Sequence, residues 1–550
     1  MTVTEKSQIT GGQALMQALV DNGADLAFGV PGESYLAALD AMVDHEDHFR
    51  FITCRHEAGA ANMAEAYGKM TGKPGICFVT RGPGATHATI GLHTAFQDST
   101  PMIMLIGQVA SDQRDREAFQ EINYTHFLSE VTKWTAEIHD ASRISEYIGR
   151  AYRIATSGRP GPVALALPED MLTSLTAPQK TVPYMPTKAA PSEADIAALT
   201  ALMETAERPL LMVGGSGWDA ESVQNLVTFS ENNNLPVCAS FRCADRMDND
   251  HPNYVGDMGI GANPDLIKLM DQSDMLIVLG ARLGEMTTGS YSRLQPPKIK
   301  QTLIHIHAGA EEIGSVYQPD LGINATPTTL LRAVSGLTFR QSAKWADRTA
   351  TARQSYEGWN SPISCAGDVQ IANLYSHMRD VLPKDVIFCN GAGNYAAWLH
   401  RFWRYRSFPS ELAPTSGAMG YGVPAAIAAK IINPERTVIC AAGDGCFMMS
   451  VQELATAVRY QANVIFMVFN NSMLGTIRMH QENHYPDRIS GTDLSNPDFV
   501  ALAKSFGMQA WRVDKTEDFD LILTAAQSVD CPSLIEITVD PRAIGPGKNL

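Results

Sequence analysis

Two oxygen-bearing side chains, Asp444 and Asn471, stand 27 positions apart in the chain. Asp444 lies within Gly443-Asp444-Gly445, and Asn471 closes an Asn470-Asn471 pair. Between them, residues 451–460 read as a helix and residues 463–469 (NVIFMVF) as a buried strand. One side chain therefore ends a strand, and the other opens the loop after the next, at the same edge of a parallel sheet. That edge can hold a divalent cation and a diphosphate together. Mg²⁺ takes a few hard oxygen ligands and shares its shell with phosphate oxygens. Gly443 and Gly445 let the backbone approach those phosphates, and the N–H groups opening the next helix add partial positive charge.

At 550 residues the chain is too long for one core, and three α/β blocks separate along it. The first, about residues 8–173, has strand-like runs at 26–30, 75–80, 102–106 and 163–167, each followed by turn signals and a helical pattern. A Pro- and Thr-containing link at about 177–191 leads to the second block, 193–338, with strands at 209–213, 275–279 and 302–307. The second block looks Rossmann-like, but its GGSG turn is no GxGxxG fingerprint, so a nucleotide site and a plain strand-to-helix turn both stay open. A polar segment at about 340–364 then leads to a third block beginning near Asp368, with strands at 386–389, 437–441, 464–469 and 533–539.

Net charge is −16 without a Lys/Arg run, which argues against nucleic acid or an anionic membrane as partner. No apolar run reaches transmembrane length, and MTVTEKSQITGG lacks the apolar core of a signal peptide. Nine cysteines without CxxC spacing support neither a zinc site nor a disulfide framework, so a cytoplasmic location is expected.

Three further stretches are ambiguous singly. The run RHEAGAANMAEAYG from Arg55 to Gly68 is a tightly packed helix with Glu57 at its start, where an acid also suits the helix dipole. Arg81-Gly82-Pro83-Gly84-Ala85-Thr86 follows a strand and opens a helix, as any Gly-rich turn can. Met419, inside Thr415-Ser416-Gly417-Ala418-Met419-Gly420, reads first as core filler.

Taken in order with GDG…NN, ATSGRPGPV and GAMGYGVPAAIAA, these stretches resemble the thiamine-diphosphate enzymes of the acetohydroxyacid synthase, pyruvate oxidase and benzaldehyde lyase group, over nearly the whole chain. The resemblance implies three doubly wound parallel-sheet α/β domains: pyrimidine-binding (1–176), central Rossmann-like (192–340) and diphosphate-binding (365–550). It implies Mg²⁺ held by Asp444, Asn471 and the carbonyl of Met473. Gly443, Gly445, Cys446, Leu474 and Gly475 would surround the diphosphate, with Gly391, Ala392, Gly393 and Asn394 closing the other side. Glu57 would hydrogen-bond a ring nitrogen of the aminopyrimidine and favour the imino tautomer that generates the ylid. Met419 would wedge beneath the cofactor, and the backbone of Gly417 and Met419 would pair with the pyrimidine edge. In this family Glu57 and the metal site come from different subunits, so a homodimer or homotetramer with interfacial sites is expected.

The reaction is less sharply implied. RGPGAT, Gly107-Gln108-Val109, Ala118-Phe119-Gln120-Glu121, Thr132-Lys133-Trp134 and SGRPGPV favour an acetohydroxyacid (acetolactate) synthase, with Gly32, Gln108, Phe119 and Lys133 toward substrate or flavin. Two departures cut against it. Gly284-Glu285-Met286-Thr287-Thr288-Gly289 puts Met286 where the synthases carry the arginine that reads the acceptor's carboxylate. Arg478 and His480 stand where a tryptophan usually selects the acceptor, either as new polar contacts or as solvated residues of an exposed helix. The altered residues 282–286 also weigh against bound FAD. The expected activity is decarboxylation of a 2-oxo acid such as pyruvate and transfer of the active aldehyde to a second carbonyl. An aldehyde lyase or simple decarboxylase is the alternative, followed by a flavin-dependent pyruvate oxidase.

Overall fold

The computed structural model describes residues 8–550. The chain passes from one compact unit to a second between Thr187 and Lys188.

The first unit is built on six parallel strands: β1 (Leu26–Gly29), β2 (Arg50–Thr53), β3 (Gly75–Val79), β4 (Met102–Gln108), β5 (Trp134–Glu137) and β6 (Pro162–Pro168). They lie in the order β2-β1-β3-β4-β6-β5. The four central strands are buried at every position, which is why they read as unbroken apolar runs. The edge strands β2 and β5 are partly exposed. Of the helices that follow these strands, two matter here: α1 (Glu57–Thr71) after β2 and α2 (Pro83–Asp98) after β3. Their small residues serve close approach, since a Cβ on Gly91 of α2 would sit 2.4 Å from the Cβ of Ala61 on α1.

The second unit holds two more six-stranded parallel sheets. The central one comprises β7 (Pro209–Val213), β8 (Val237–Ser240), β9 (Tyr254–Met258), β10 (Met275–Leu279), β11 (Thr302–His307) and β12 (Leu321–Asn324), ordered β9-β8-β7-β10-β11-β12. In strand rank that is 3-2-1-4-5-6, the Rossmann order. The polar segment expected to be a link at 340–364 is instead largely helix α3 (Ser342–Trp359). Its buried residues Trp345, Thr349, Arg353 and Tyr356 recur every three to four positions, so one narrow face carries the packing and the rest stays polar.

The last sheet comprises β13 (Ile387–Asn390), β14 (Glu411–Leu412), β15 (Val438–Gly443), β16 (Ile465–Asn470), β17 (Gln509–Val513) and β18 (Ser533–Thr538). Its order, β14-β13-β15-β16-β18-β17, repeats in rank that of the first sheet. Three helices matter here: α4 (Asn394–Phe402) after β13, α5 (Asp444–Met448) after β15 and α6 (Gly475–His484) after β16. Among the described residues no helix is long and apolar enough to cross a membrane.

Candidate active site

In the 2-1-3-4-6-5 order, successive connections leave the first and third strands in opposite directions. Ligands of open α/β sheets bind in the crevice this opens beyond the carboxyl ends of the two strands. In the last sheet those strands are β13 and β15, and a cavity of about 250 Å³ lies beyond them. Ala392, Gly393, Asn394, Gly417, Met419, Gly443, Asp444, Gly445, Cys446, Asn471, Met473, Leu474 and Gly475 all line it. Gly391 sits just behind, where a Cβ would meet the Cys446 sulfur at 2.5 Å.

Register explains the convergence. Gly443 pairs with Phe469 across β15 and β16, so Asp444 and Asn471 emerge at nearly one level. Asp444 is 2% exposed. Burial raises its pKa above the usual carboxylate value, against hydrogen bonds from the Asn496 side chain and the Gly445 backbone. Asn496 Nδ2 donates to Asp444 Oδ2 at 2.7 Å and to Asn470 Oδ1 at 3.0 Å. Ser472 turns the chain at φ 55, and Asn471 Oδ1 accepts from the Met473 N–H at 3.2 Å. Segment 492–494 pins this turn, through Leu474 N–H to Thr492 O and Leu494 N–H to Ser472 O.

Tyr395 is the floor of the site. Its hydroxyl accepts from the Gly391 N–H at 3.0 Å and donates to Cys446 Sγ at 3.2 Å. A Cβ on either Gly443 or Gly393 would come within 2.8 Å of its ring. Arg242, on the turn after β8, is buried and donates to the carbonyls of Gly391, at 2.8 Å, and of Pro414. One guanidinium from the central sheet thus ties down the two segments leading into 391–394 and 415–419. Neither Tyr395, Arg242 nor Asn496 was singled out from the sequence. Tyr395 follows the glycine turn directly, but Arg242 and Asn496 sit in stretches without any local signal.

The side chains expected near substrate are distributed differently. Arg478 and His480 do not line the cavity, whereas Thr476 and Ile477 beside them do. The Arg478 guanidinium is held by Glu482 one turn on, at 2.8 Å, and His480 stacks on His484. No residue of α6 is buried. In the first unit Gln108 is fully buried. Its amide donates to Ile122 O and Glu137 Oε2 and accepts from the Val109 N–H, so it braces the fold away from the surface. Lys133 is likewise committed to the carbonyls of Ile154 and Ser157. Gly32 is packed against Thr80, and Phe119 is 72% exposed.

Glu57 opens α1, with His56 as the cap whose Nδ1 accepts from the Ala58 N–H at 3.1 Å. Gly84 allows α2 to start against this acid, since a Cβ there would lie 3.3 Å from Glu57 Oε1. Glu57 Oε2 lies 3.0 Å from His87 Nδ1.

Comparison with known proteins settles the family. Residues 391–537 match the thiamine pyrophosphate enzyme C-terminal TPP-binding domain, 9–127 the N-terminal TPP-binding domain and 196–334 the central domain. The chain is 31% identical to an acetolactate synthase large subunit of Parasynechococcus marenigrum, over 96% of this chain and 88% of that protein. The chain belongs to the thiamine pyrophosphate enzyme family. It is 29% identical to the mitochondrial acetolactate synthase catalytic subunit of Saccharomyces cerevisiae, over 97% of this chain and 81% of that protein. With the isozyme 2 large subunit of Escherichia coli the identity is 28%, over 97% and 96%. Among thiamine pyrophosphate enzymes it is thus an acetolactate synthase-like one.

The donor set and cradle suit the family's cofactor. A carboxylate whose charged form burial disfavours is one that a divalent cation stabilises. Asn471 adds a neutral oxygen of the hard type Mg²⁺ prefers. Gly445 keeps the wall open, because a Cβ there would stand 3.0 Å from both Leu474 and Leu494. Gly393 (φ 145) and Gly417 (φ 68) adopt backbone that other residues avoid.

Proposed function

We propose that this protein is a thiamine-diphosphate- and Mg²⁺-dependent carboligase that decarboxylates a 2-oxo acid such as pyruvate and transfers the two-carbon unit to a second carbonyl. The observation that carries this is the convergence of Asp444, Asn471 and Met473 with a glycine cradle on one switch-point cavity. Asp444 Oδ, Asn471 Oδ1 and the Met473 carbonyl hold Mg²⁺. Residues 391–394, with Gly443, Gly445, Cys446, Leu474 and Gly475, enclose the diphosphate. Met419 and the Gly417 backbone orient the pyrimidine half. When bound, thiamine diphosphate supplies a nucleophilic carbon and an electron sink for the carboxylate's departure. Glu57 holds a proton at a pyrimidine ring nitrogen, from the neighbouring subunit of a homodimer or homotetramer. The chain divides functionally as 1–176, 192–340 and 365–550, works in the cytoplasm, and does not depend on FAD.

Purified protein incubated with pyruvate, thiamine diphosphate and Mg²⁺ tests this directly, with acetolactate as the expected product. Acetaldehyde alone would replace the carboligase by a decarboxylase, and acetyl phosphate with peroxide would replace it by an oxidase. A visible absorption spectrum without flavin bands is expected alongside.

A further inference from the structure

We propose that His87 is a positioning residue for Glu57, an inference that rests on the carboligase reading above. His87 lies on the first turns of α2 and meets Glu57 Oε2 through Nδ1 at 3.0 Å. The other carboxyl oxygen faces Gly84, so the acid is clamped between a glycine that permits close approach and an imidazole that binds it. The Glu57 side chain is 14% exposed and that of His87 50%. The imidazole itself is braced, because its ring stacks on His56 with centroids 4.5 Å apart and planes 27° from parallel. His56 is braced in turn by its hydrogen bond from the Ala58 backbone. Support therefore runs from the start of α1 through two stacked imidazoles back to the acid that opens the same helix.

The three side chains bring ligand atoms within 4.8 Å of one another, a spacing that also suits a metal ion. The tautomer of His56 argues otherwise. Burial and the neighbouring His87 lower its pKa despite Glu57, so the ring is neutral near pH 7. With Nδ1 accepting a backbone N–H, the proton of the neutral ring is on Nε2, and no lone pair remains for a cation. What the cluster can do is hold a carboxyl group in one rotamer. A flexible glutamate that must meet a single ring nitrogen gains from this, because small misplacements of a reacting group reduce rate steeply.

Proton exchange at the thiazolium carbon, followed by NMR in the loaded enzyme, reads the effect. His87→Leu should slow exchange about tenfold, the worth of one charge-assisted hydrogen bond, with unchanged cofactor Kd. His87→Asn, whose amide still donates to the carboxylate, should recover most of that rate. Undiminished exchange in His87→Leu, or an equal loss in His87→Asn, overturns the proposal. Glu57→Gln run alongside separates the two levels: persistent exchange there sinks the role of Glu57, whereas loss there with normal His87→Leu sinks only His87. Histidine-labelled, cofactor-free protein gives a second readout that survives poor folding of any leucine variant. Its two-bond ¹H–¹⁵N spectrum should show His87 protonated on Nδ1, and Glu57→Ala should remove that preference. An unchanged spectrum also overturns the proposal.

Discussion

The first and last sheets have one strand order and opposite fates at their switch points. In the last sheet, residues 391–394 and 443–446 splay apart beyond β13 and β15, and the gap is the cavity. In the first sheet, the equivalent strands are β1 and β3, and the crevice beyond them is filled. Gly32 packs so closely on Thr80 that a Cβ would lie 2.5 Å from it, and Ser34 Oγ and Thr80 Oγ1 hydrogen-bond at 2.8 Å. What that sheet contributes instead is a single acid, Glu57, on the helix that follows an edge strand. Equal topology thus yields a cradle in one block and, in the other, a carboxyl at a helix start paired with His87. The difference lies in loop side chains and glycine placement, not in strand order.

Substitutions that act on one block and spare the other test this contrast. The largest effect is expected in the cradle: Asp444→Ala should weaken Mg²⁺-dependent cofactor retention by about 100-fold or more, measured by equilibrium dialysis with and without chelator. Retention that ignores both the substitution and the chelator would remove Asp444 from the metal. The mirror experiment is Glu57→Gln, which should leave retention intact and lower proton exchange at the thiazolium carbon by about 100-fold or more. Comparable loss of cofactor in that variant would erase the division of labour.

Arg242→Met probes how the central sheet supports the cradle. Two buried carbonyls, Gly391 O and Pro414 O, lose their charged donor, and a destabilisation of about 3 kcal/mol is expected in chemical denaturation. Hydrogen exchange should rise in 391–394 and 415–419 together; a rise in neither would show that the cradle stands alone.

The last contrast is a pH slope belonging to the second unit. Glu411 is pushed up to about 8 by burial and then by Asp245, despite Arg246 nearby. The folded state therefore keeps a proton that the unfolded chain releases in the ordinary carboxylate range. Linkage makes this contribution fully present below that range and lost as pH rises through about 8. Thermal unfolding between pH 5 and 8, taken as about the span of the shift, should show stability falling with pH in the native protein and a flatter profile in Glu411→Gln. Identical slopes would remove Glu411 as their source.

What was legible in the chain follows burial. Residues 209–213, 275–279 and 302–307 were read to the residue, and the other interior strands except β8 to within two residues at either end. The strands that went unread are mostly edges: β2, β5, β9, β12, β14 and β17 each border a sheet. Of these, β2, β5, β12 and β17 face solvent on part of their surface, so the apolar run breaks and periodicity loses its grip, while β14 is only two residues long and β9 carries Gly256 and Asp257 in its middle. The one unread interior strand, β8, is the short Val-Cys-Ala-Ser run, whose small residues carry little pattern. Helix α3 escaped for a similar reason, since four buried positions among 18 make a weak stripe.

The same logic divides the site. Asp444, Asn471 and the glycines around them stand at the ends of strongly apolar strands, so strand periodicity alone places them on one edge of a sheet. Their chemistry is written in local runs such as GDG and NN. Asn496 and Arg242 meet partners 52 and 149 residues away, and nothing in their own neighbourhoods marks them, whereas His87, 30 residues from Glu57, directly follows the RGPGAT turn. The fold also sets where two polar candidates sit, with Arg478 paired to Glu482 one turn along its own helix and Gln108 buried behind its own loop. Composition and local pattern determine which backbone edges can meet a phosphate and a metal. Which side chains then face that space depends on long-range packing, where each polar group takes the partner that folding brings within reach.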